Sequence, residues 1–260
     1  DIAFVLFGLT QAQAVLPEKA AAGRLQVLSS LDKLMRDRAN GGYSEKLPAP
    51  DLRLQNPHMH LLEACHAMYE VDPDGGHLAR AGEIKTLFDT HFTDSPDGLL
   101  GEYFSHDWSP ASGDHHDVIE PGHQFEWVWL LHRHAMLTGE PFSPAAQRLY
   151  DFGITTLDDE GRAIQTVRRD GTPVDRSRRT WPQTEALKAH LAMLERTGEE
   201  FHADAAIASF DLLMDEYLTP EGGWIDNYDG EGQVLAKDMP ASTGYHVVLA
   251  LAELIRVAEA

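Results

Sequence analysis

Asn56-Pro57-His58-Met59-His60-Leu61-Leu62-Glu63, Glu120-Pro121-Gly122-His123-Gln124-Phe125-Glu126-Trp127, Trp181-Pro182-Gln183-Thr184-Glu185-Ala186 and Met239-Pro240-Ala241-Ser242-Thr243-Gly244-Tyr245-His246 share one design. Each is a proline followed by a stretch of helical spacing whose first turns carry His, Glu, Gln or Tyr. The prolines stand 64, 61 and 58 residues apart. Proline suits the first turn of a helix, where its missing N–H would have no partner anyway. A period near sixty residues marks stacked supersecondary units. The polar helix starts are therefore equivalent places in a repeat, and a ring of such units would aim them at one pocket.

Working outward, the spacing of apolar residues predicts helices near 1–15, 18–39, 57–70, 77–92, 122–138, 143–157, 182–197, 201–218 and 241–259. Gly41-Gly42 is read as the stop of the second. Short turns such as Thr138-Gly139-Glu140-Pro141 and Thr197-Gly198-Glu199 join helices within a pair, and longer segments, 93–120, 158–180 and 219–239, run between pairs. Asp97-Gly98 and Gly222-Gly223, each followed by aromatic and apolar residues, suggest short β-hairpins or extended arms. The fold class expected is all-α: a single domain, 1–260, of antiparallel helix pairs closed into an (α/α)6 toroid or barrel. Small residues on the headed helices, among them Ala64, Ala67, Gly122, Ala186 and Ala189, allow crowding at a ring's centre. Six pairs need more helices than are counted, so about three are expected ahead of Asp1.

Composition narrows the function classes. Against 42 acidic residues stand 21 basic ones, a formal net charge of -21. Nucleic acid and anionic membranes both need a basic footprint and are not expected partners. No apolar run is long enough to span a bilayer, and the apolar opening lacks the basic flank of a signal peptide. Cys65 is the only cysteine, which excludes an internal disulfide and favours a reducing compartment, read as cytoplasmic. No glycine-rich nucleotide motif occurs, so no cofactor is expected.

His123 and His246 stand out because each lies early in a headed helix, two repeats apart. Imidazole titrates near neutrality and can both accept and donate a proton, so a facing pair suits moving a proton between neighbouring carbons of a sugar. Glu126 shares a helical face with His123, and His60 shares one with Asn56. His58 points away from His60, and no His-Glu-x-x-His occurs, so metal ligation by His58, His60, His115, His116 and His123 is not expected. Trp181, at a helix mouth, is the aromatic expected to meet a ligand, whereas Trp127 and Trp129 read as core. Two other classes compete. An inverting glycosidase would use carboxylates such as Glu63, Glu126 and Glu185, and a binding module would use a concave helical face.

At these residues the chain resembles the N-acylglucosamine 2-epimerase superfamily, whose members include mannose isomerases, other aldose–ketose isomerases and cellobiose 2-epimerases. The resembling segments are Asn56–Ala64, Glu120–Trp127, Arg178–Ala186 and Lys237–His246. The opening, Asp1 to Leu6, resembles an internal helix of that family. The resemblance implies an (α/α)6 barrel and cofactor-independent isomerisation or 2-epimerisation of a sugar through a cis-enediol(ate). It implies catalysis by His123 and His246. Asn56, His60, Glu126, Trp181, Gln183 and Glu185 are the expected substrate contacts. The family's early arginine and tyrosine have no counterpart here. Arg168, Arg169, Arg176, Arg178 and Arg179 cluster in an otherwise acidic chain. Of these, Arg176, Arg178 and Arg179 are candidates for an anionic group such as a sugar phosphate, or else line a solvated loop. Mannose to fructose is the first expectation, mannose 6-phosphate the next, and N-acylglucosamine or cellobiose epimerisation follow.

Overall fold

The computed structural model describes residues 1–235 and 238–260. Lys237, which opens the last resembling segment, lies outside the described residues. The chain forms two compact units, Asp1–His116 with Arg133–Pro141, and Asp117–His132 with Phe142–Ala260.

The first unit contains α1 (Ile2–Ala12), α2 (Pro17–Leu34), β1 (Arg53–Leu54), α3 (Asn56–Val71), α4 (His77–Leu87), β2 (Tyr103–Phe104) and the single turn α5 (Asp114–Asp117, its last residue in the second unit). α4 continues through a π turn, Phe88–Phe92. α3 is buried on almost every side from His58 to Met68. That follows from its apolar residues lying all round the helix, and α1 and α4 both pack on it. α2 ends at Leu34, earlier than the glycines suggested. The Asp37 carboxylate accepts the backbone N–H groups of Ala39 and Asn40 at 2.9 and 3.0 Å. That local bond offers the chain a turn in competition with a further helical one.

The second unit contains β3 (Val118–Ile119), α6 (Pro121–Thr138, up to His132), α7 (Pro144–Thr155), β4 (Thr166–Arg168), β5 (Pro173–Asp175), β6 (Arg178–Arg179), α8 (Thr180–Thr197), α9 (Glu200–Leu212), β7 (Asn227–Tyr228) and α10 (Ala241–Ala258). Ser143 caps α7 by accepting the Ala145 N–H at 3.3 Å. Gly198, at φ 70°, ends α8 in the left-handed conformation that a side chain disfavours. α8 is buried from Thr180 to Met193 because α9 and α10 both pack on it. Leu187, Leu191, Ala206 and Ala250 form a core there, flanked by Phe210, Leu254 and Val257.

The strands obey a rule the sequence did not reveal. β1, β3 and β6 each lead directly into a headed helix, and each pairs antiparallel with a segment from the next long loop: β1 with β2, β3 with β4, β6 with β7. The Asp97-Gly98 and Gly222-Gly223 segments therefore feed extended arms. β4–β5 is a local hairpin, turning at Asp170-Gly171 with Gly171 at φ 82°, and Gly222-Gly223 also turns the chain back so that Leu218 bridges Trp224. Each arm pins the entry to a helix whose first turns carry the ionisable residues. No helix among the described residues is long and apolar enough to cross a membrane.

Candidate active site

In the second unit, α6, α8 and α10 bring five of the expected residues together. His123 and Glu126 come from α6, Trp181 and Glu185 from α8, and His246 from α10. Both imidazoles pack against one indole, with the Trp181 ring centroid 5.0 Å from His123 and 5.6 Å from His246. Trp181 can sit there because Gly122 has no side chain. A Cβ on Gly122 would come within 2.5 Å of the indole.

His246 Nδ1 lies 2.7 Å from Glu185 Oε1. A carboxylate accepts, so the ring donates its Nδ1 hydrogen, and in the neutral form the lone pair lies on Nε2. The other carboxylate oxygen, Glu185 Oε2, lies 2.8 Å from Lys188 Nζ, and neither side chain has any exposed surface. Burial pushes the Glu185 carboxyl up, but the Lys188 charge and then the His246 bond bring it below its ordinary range. Lys188 also rests 3.9 Å above the Trp129 ring, a favourable place for a cation. Glu126 is fully buried. One donor atom from each of Glu126, Glu185 and His246 lies within 4.8 Å of the other two. With Glu185 already shared between an ammonium and an imidazole, that trio suits proton handling better than a divalent cation.

The helix entries are tied to the arms. Thr243 donates its hydroxyl to Asp226 Oδ1, and Arg179 Nη2 reaches Asp226 Oδ2 at 3.3 Å. Thr180 donates its hydroxyl to the Ile225 carbonyl at 2.5 Å. The starts of α8 and α10, with Trp181 and His246, are thus held by the same β7 arm. Glu120 Oε2 lies 3.9 Å from His123 Nδ1.

Other expected residues have different work. Gln183 spends its amide on the backbone: its Oε1 accepts the Ala163 N–H at 2.8 Å, and its Nε2 donates to the carbonyls of Ala163 at 2.8 Å and Arg179 at 3.0 Å. It staples the long loop to α8. Arg179 pairs with Asp226, and Arg178 Nη1 lies 4.0 Å from Asp158 Oδ2. Arg176 and Arg178 line a cleft of about 660 Å³, but Asp158, Glu160, Asp215, Glu216 and Glu231 line it too. The acids outnumber the arginines, including Arg162, so the cleft offers little to an anion. Trp127 and Trp129 are core, as expected, and the Trp129 N–H donates to Glu253 Oε1 at 3.0 Å.

Asn56 and His60 belong to the first unit. His60 Nδ1 lies 3.7 Å from Glu63 Oε2, its ring stacks at 4.8 Å on Phe4, and both residues line a pocket of about 320 Å³ with Phe4, Tyr43 and Met35. His58 is core: its Nε2 accepts the Tyr43 N–H at 2.9 Å. His58 borders the same pocket as His60, but its ring is spent on the Tyr43 N–H and the Leu54 carbonyl. Lys188 and Asp226 escaped the sequence reading. The signal for Lys188 was a lone lysine in the run Ala186-Leu187-Lys188-Ala189, three residues from Glu185.

Two imidazoles on one indole, one of them braced by a buried carboxylate, describe an acid–base enzyme. Residues 1–250 match the family described as N-acylglucosamine 2-epimerase. The mannose-6-phosphate isomerase of Rhizobium meliloti (strain 1021) is 36% identical over 97% of this chain and 68% of its own length. The D-mannose isomerase of Thermobifida fusca is 29% identical over 67% of this chain and 47% of its own length. A solved structure of D-mannose isomerase superposes with a TM-score of 0.88 at 21% identity, covering 98% of this chain and 71% of that one. The chain belongs to the N-acylglucosamine 2-epimerase family, and so to the sugar isomerases and epimerases, with the (α/α)6 toroid as its fold class.

Proposed function

We propose that this protein interconverts mannose and fructose by proton transfer through a cis-enediol(ate). The observation that carries the reading is the bond from His246 Nδ1 to Glu185, which leaves the basic lone pair on Nε2, in a ring that shares its indole with a second imidazole. In the open-chain aldose, His246 takes the proton from C2 while O1 gains one. Returning a proton to C1 as O2 loses one makes the ketose. Each positioned acid or base contributes about 10²–10⁴ in rate. His123 serves as the partner acid, exchanging hydroxyl protons with Glu126 beside it. Delivery of a proton by His123 to the opposite face of C2 would instead make the epimer.

An inverting glycosidase needs a carboxylate that is free to titrate or to activate water. Glu185 is committed at both oxygens. The roles of Asn56 and His60 rest on their place in the repeat, and Asn56→Ala and His60→Ala test them by a raised KM for the sugar.

The 36% identity to a mannose-6-phosphate isomerase favours a phosphorylated substrate as the second reading. The acidic surroundings of Arg176 and Arg178 favour the neutral sugar. Proton NMR of mannose, and separately of mannose 6-phosphate, in deuterated buffer decides between them. Fructose formation with loss of the C2 proton signal is expected from mannose. Glucose as the product would make the protein an epimerase, and absence of exchange in both sugars would defeat the reading.

A further inference from the structure

Lys188, the cation of the buried ion pair beneath His246, has no part in the proposed reaction. Lys188 and Glu185 are fully buried, 2.8 Å apart, and one carboxylate is divided between the Lys188 ammonium and the His246 imidazole. A buried ion pair is a poor stabiliser, since the cost of dehydrating two ions offsets their attraction. A leucine or methionine would fill the same helical position with no such cost. What the lysine adds is a positive charge one carboxylate away from the reacting ring.

We infer that Lys188 is a positioning residue that neutralises Glu185, so that His246 is held by a carboxylate without being driven to its protonated, non-basic form. The inference rests on His246 acting as the base. An imidazole beside an uncompensated buried carboxylate gains a proton, because the imidazolium–carboxylate pair is neutral and the alternative is a buried negative charge. With Lys188 present the carboxylate is already balanced. The pair keeps its orienting hydrogen bond, and the ring keeps its lone pair. The net lowering of the Glu185 carboxyl, to which Lys188 contributes ahead of His246, agrees with this division.

The other charged and titratable groups do not supply the balance. On α6, Glu126 brings a further acid within 4.8 Å and so adds to the demand for a cation, while His123 stands across Trp181. On α10, the Tyr245 ring meets His246 edge-on at 4.5 Å, and Glu253 is balanced by Arg256 at 2.8 Å. Beside β7, Asp226 is held by Arg179. Among these, Lys188 is the cation in contact with Glu185.

The test has two readouts on Lys188→Met and Lys188→Arg. The first needs no substrate: carbon-13 NMR of the His246 ring as a function of pH, its signal assigned by its loss in His246→Gln. In Lys188→Met the titration midpoint is expected to move up by about one pH unit or more, and in Lys188→Arg to stay near that of the wild type. The second is the pH profile of C2 proton exchange with D-mannose. Its acid limb is expected to move upward by the same amount. Activity below the limb falls roughly tenfold per unit and recovers at high pH. Should Lys188→Met not fold, Lys188→Gln, which keeps a hydrogen bond without the charge, is read in the same way. An unmoved midpoint in a folded, charge-free variant overturns the inference, whatever happens to the rate, since a packing role would lower activity without moving the limb. A shifted midpoint in a protein whose wild type exchanges no sugar would uphold this inference and sink the proposed reaction. Exchange by the wild type with an unmoved midpoint would do the reverse.

Discussion

The starts of α3 and α10 both carry a buried histidine, and the two have opposite chemistry. His58, on α3, accepts a backbone N–H from Tyr43, and its ring lies edge-on to Trp108 at 4.9 Å. Burial, with the nearby Arg53 charge, pushes it down to about 3. It is an acceptor frozen in the core. His246, on α10, donates its Nδ1 hydrogen to a carboxylate, whereas His58 pairs Nδ1 with the Leu54 carbonyl at 3.3 Å and spends its Nε2 lone pair on Tyr43. A partner that donates occupies the imidazole lone pair, whereas a partner that accepts fixes the tautomer and places the lone pair on the other nitrogen. The identity of the neighbour, not depth of burial, separates the two histidines.

The sharpest break of this comparison is a rate measurement. His246→Ala is expected to lower C2 proton exchange by about 10²–10⁴ with the helical circular dichroism intact. His58→Gln is expected to leave the exchange rate of the folded protein near wild type. Equal losses in both would erase the distinction. Next in size, Glu185→Gln keeps the shape and removes the charge, and is expected to cost on the order of 10² in the same assay. A wild-type rate would mean that the carboxylate does not orient the ring.

Stability measurements sharpen the His58 side. Its ordinary value is 6.5 and its folded value about 3, so between them the unfolded chain binds a proton that the folded chain does not. Stability therefore declines as pH falls below 6.5, by about 2 kcal/mol at pH 5 from this residue alone. His58→Gln, compared by urea denaturation at pH 7.5 and pH 5, is expected to show a smaller decline than the wild type. The decline does not vanish, because His190 is also held low, at about 4. A decline as steep as in the wild type would contradict the buried acceptor role.

Gly122→Ala probes the packing behind the His123 and His246 imidazoles. Its new methyl would crowd the Trp181 ring at 2.5 Å, which is expected to cost about 1 kcal/mol or more and to raise KM by displacing the indole. Unchanged melting temperature and KM would show that Trp181 is not seated there. The smallest effect concerns a purely structural carboxylate. The Arg80 hydrogen bond, helped by the Arg80 charge and Tyr43, holds Asp32 at about 2 against the opposing effect of burial. Its contribution to stability is full above about 3.8, the ordinary value, and is lost as pH falls through about 2. Arg80→Ala is expected to return the Asp32 titration, followed by NMR, toward that ordinary value without altering sugar exchange.

Much of this was legible before any coordinates. The proline-headed repeat located the helices to within a few residues, because proline, small residues and apolar spacing are local preferences that need no tertiary partner. His123, Glu126, Trp181, Glu185 and His246 were visible as equivalents in that repeat. The arms were not legible. Asp97-Gly98 carries the same turn signal as Asp170-Gly171, yet only the latter turns a strand back on its neighbour in sequence. The end of α2 was missed because the Asp37 side chain acts before the glycines do. Gln183 looked like a pocket residue by spacing, and its amide is spent on Ala163 and Arg179.

The sequence by itself determined a repeating helical array with ionisable residues at its helix starts, a resemblance that names a family, and a strongly acidic net charge. Tertiary structure decided which ionisable residues meet. Hydrogen-bond direction, the division of one carboxylate between Lys188 and His246, and the seating of both imidazoles on Trp181 depend on side chains from α6, α8 and α10 meeting in space. Proton affinity is set by such neighbours within a few ångströms, and distance along the chain carries no record of them.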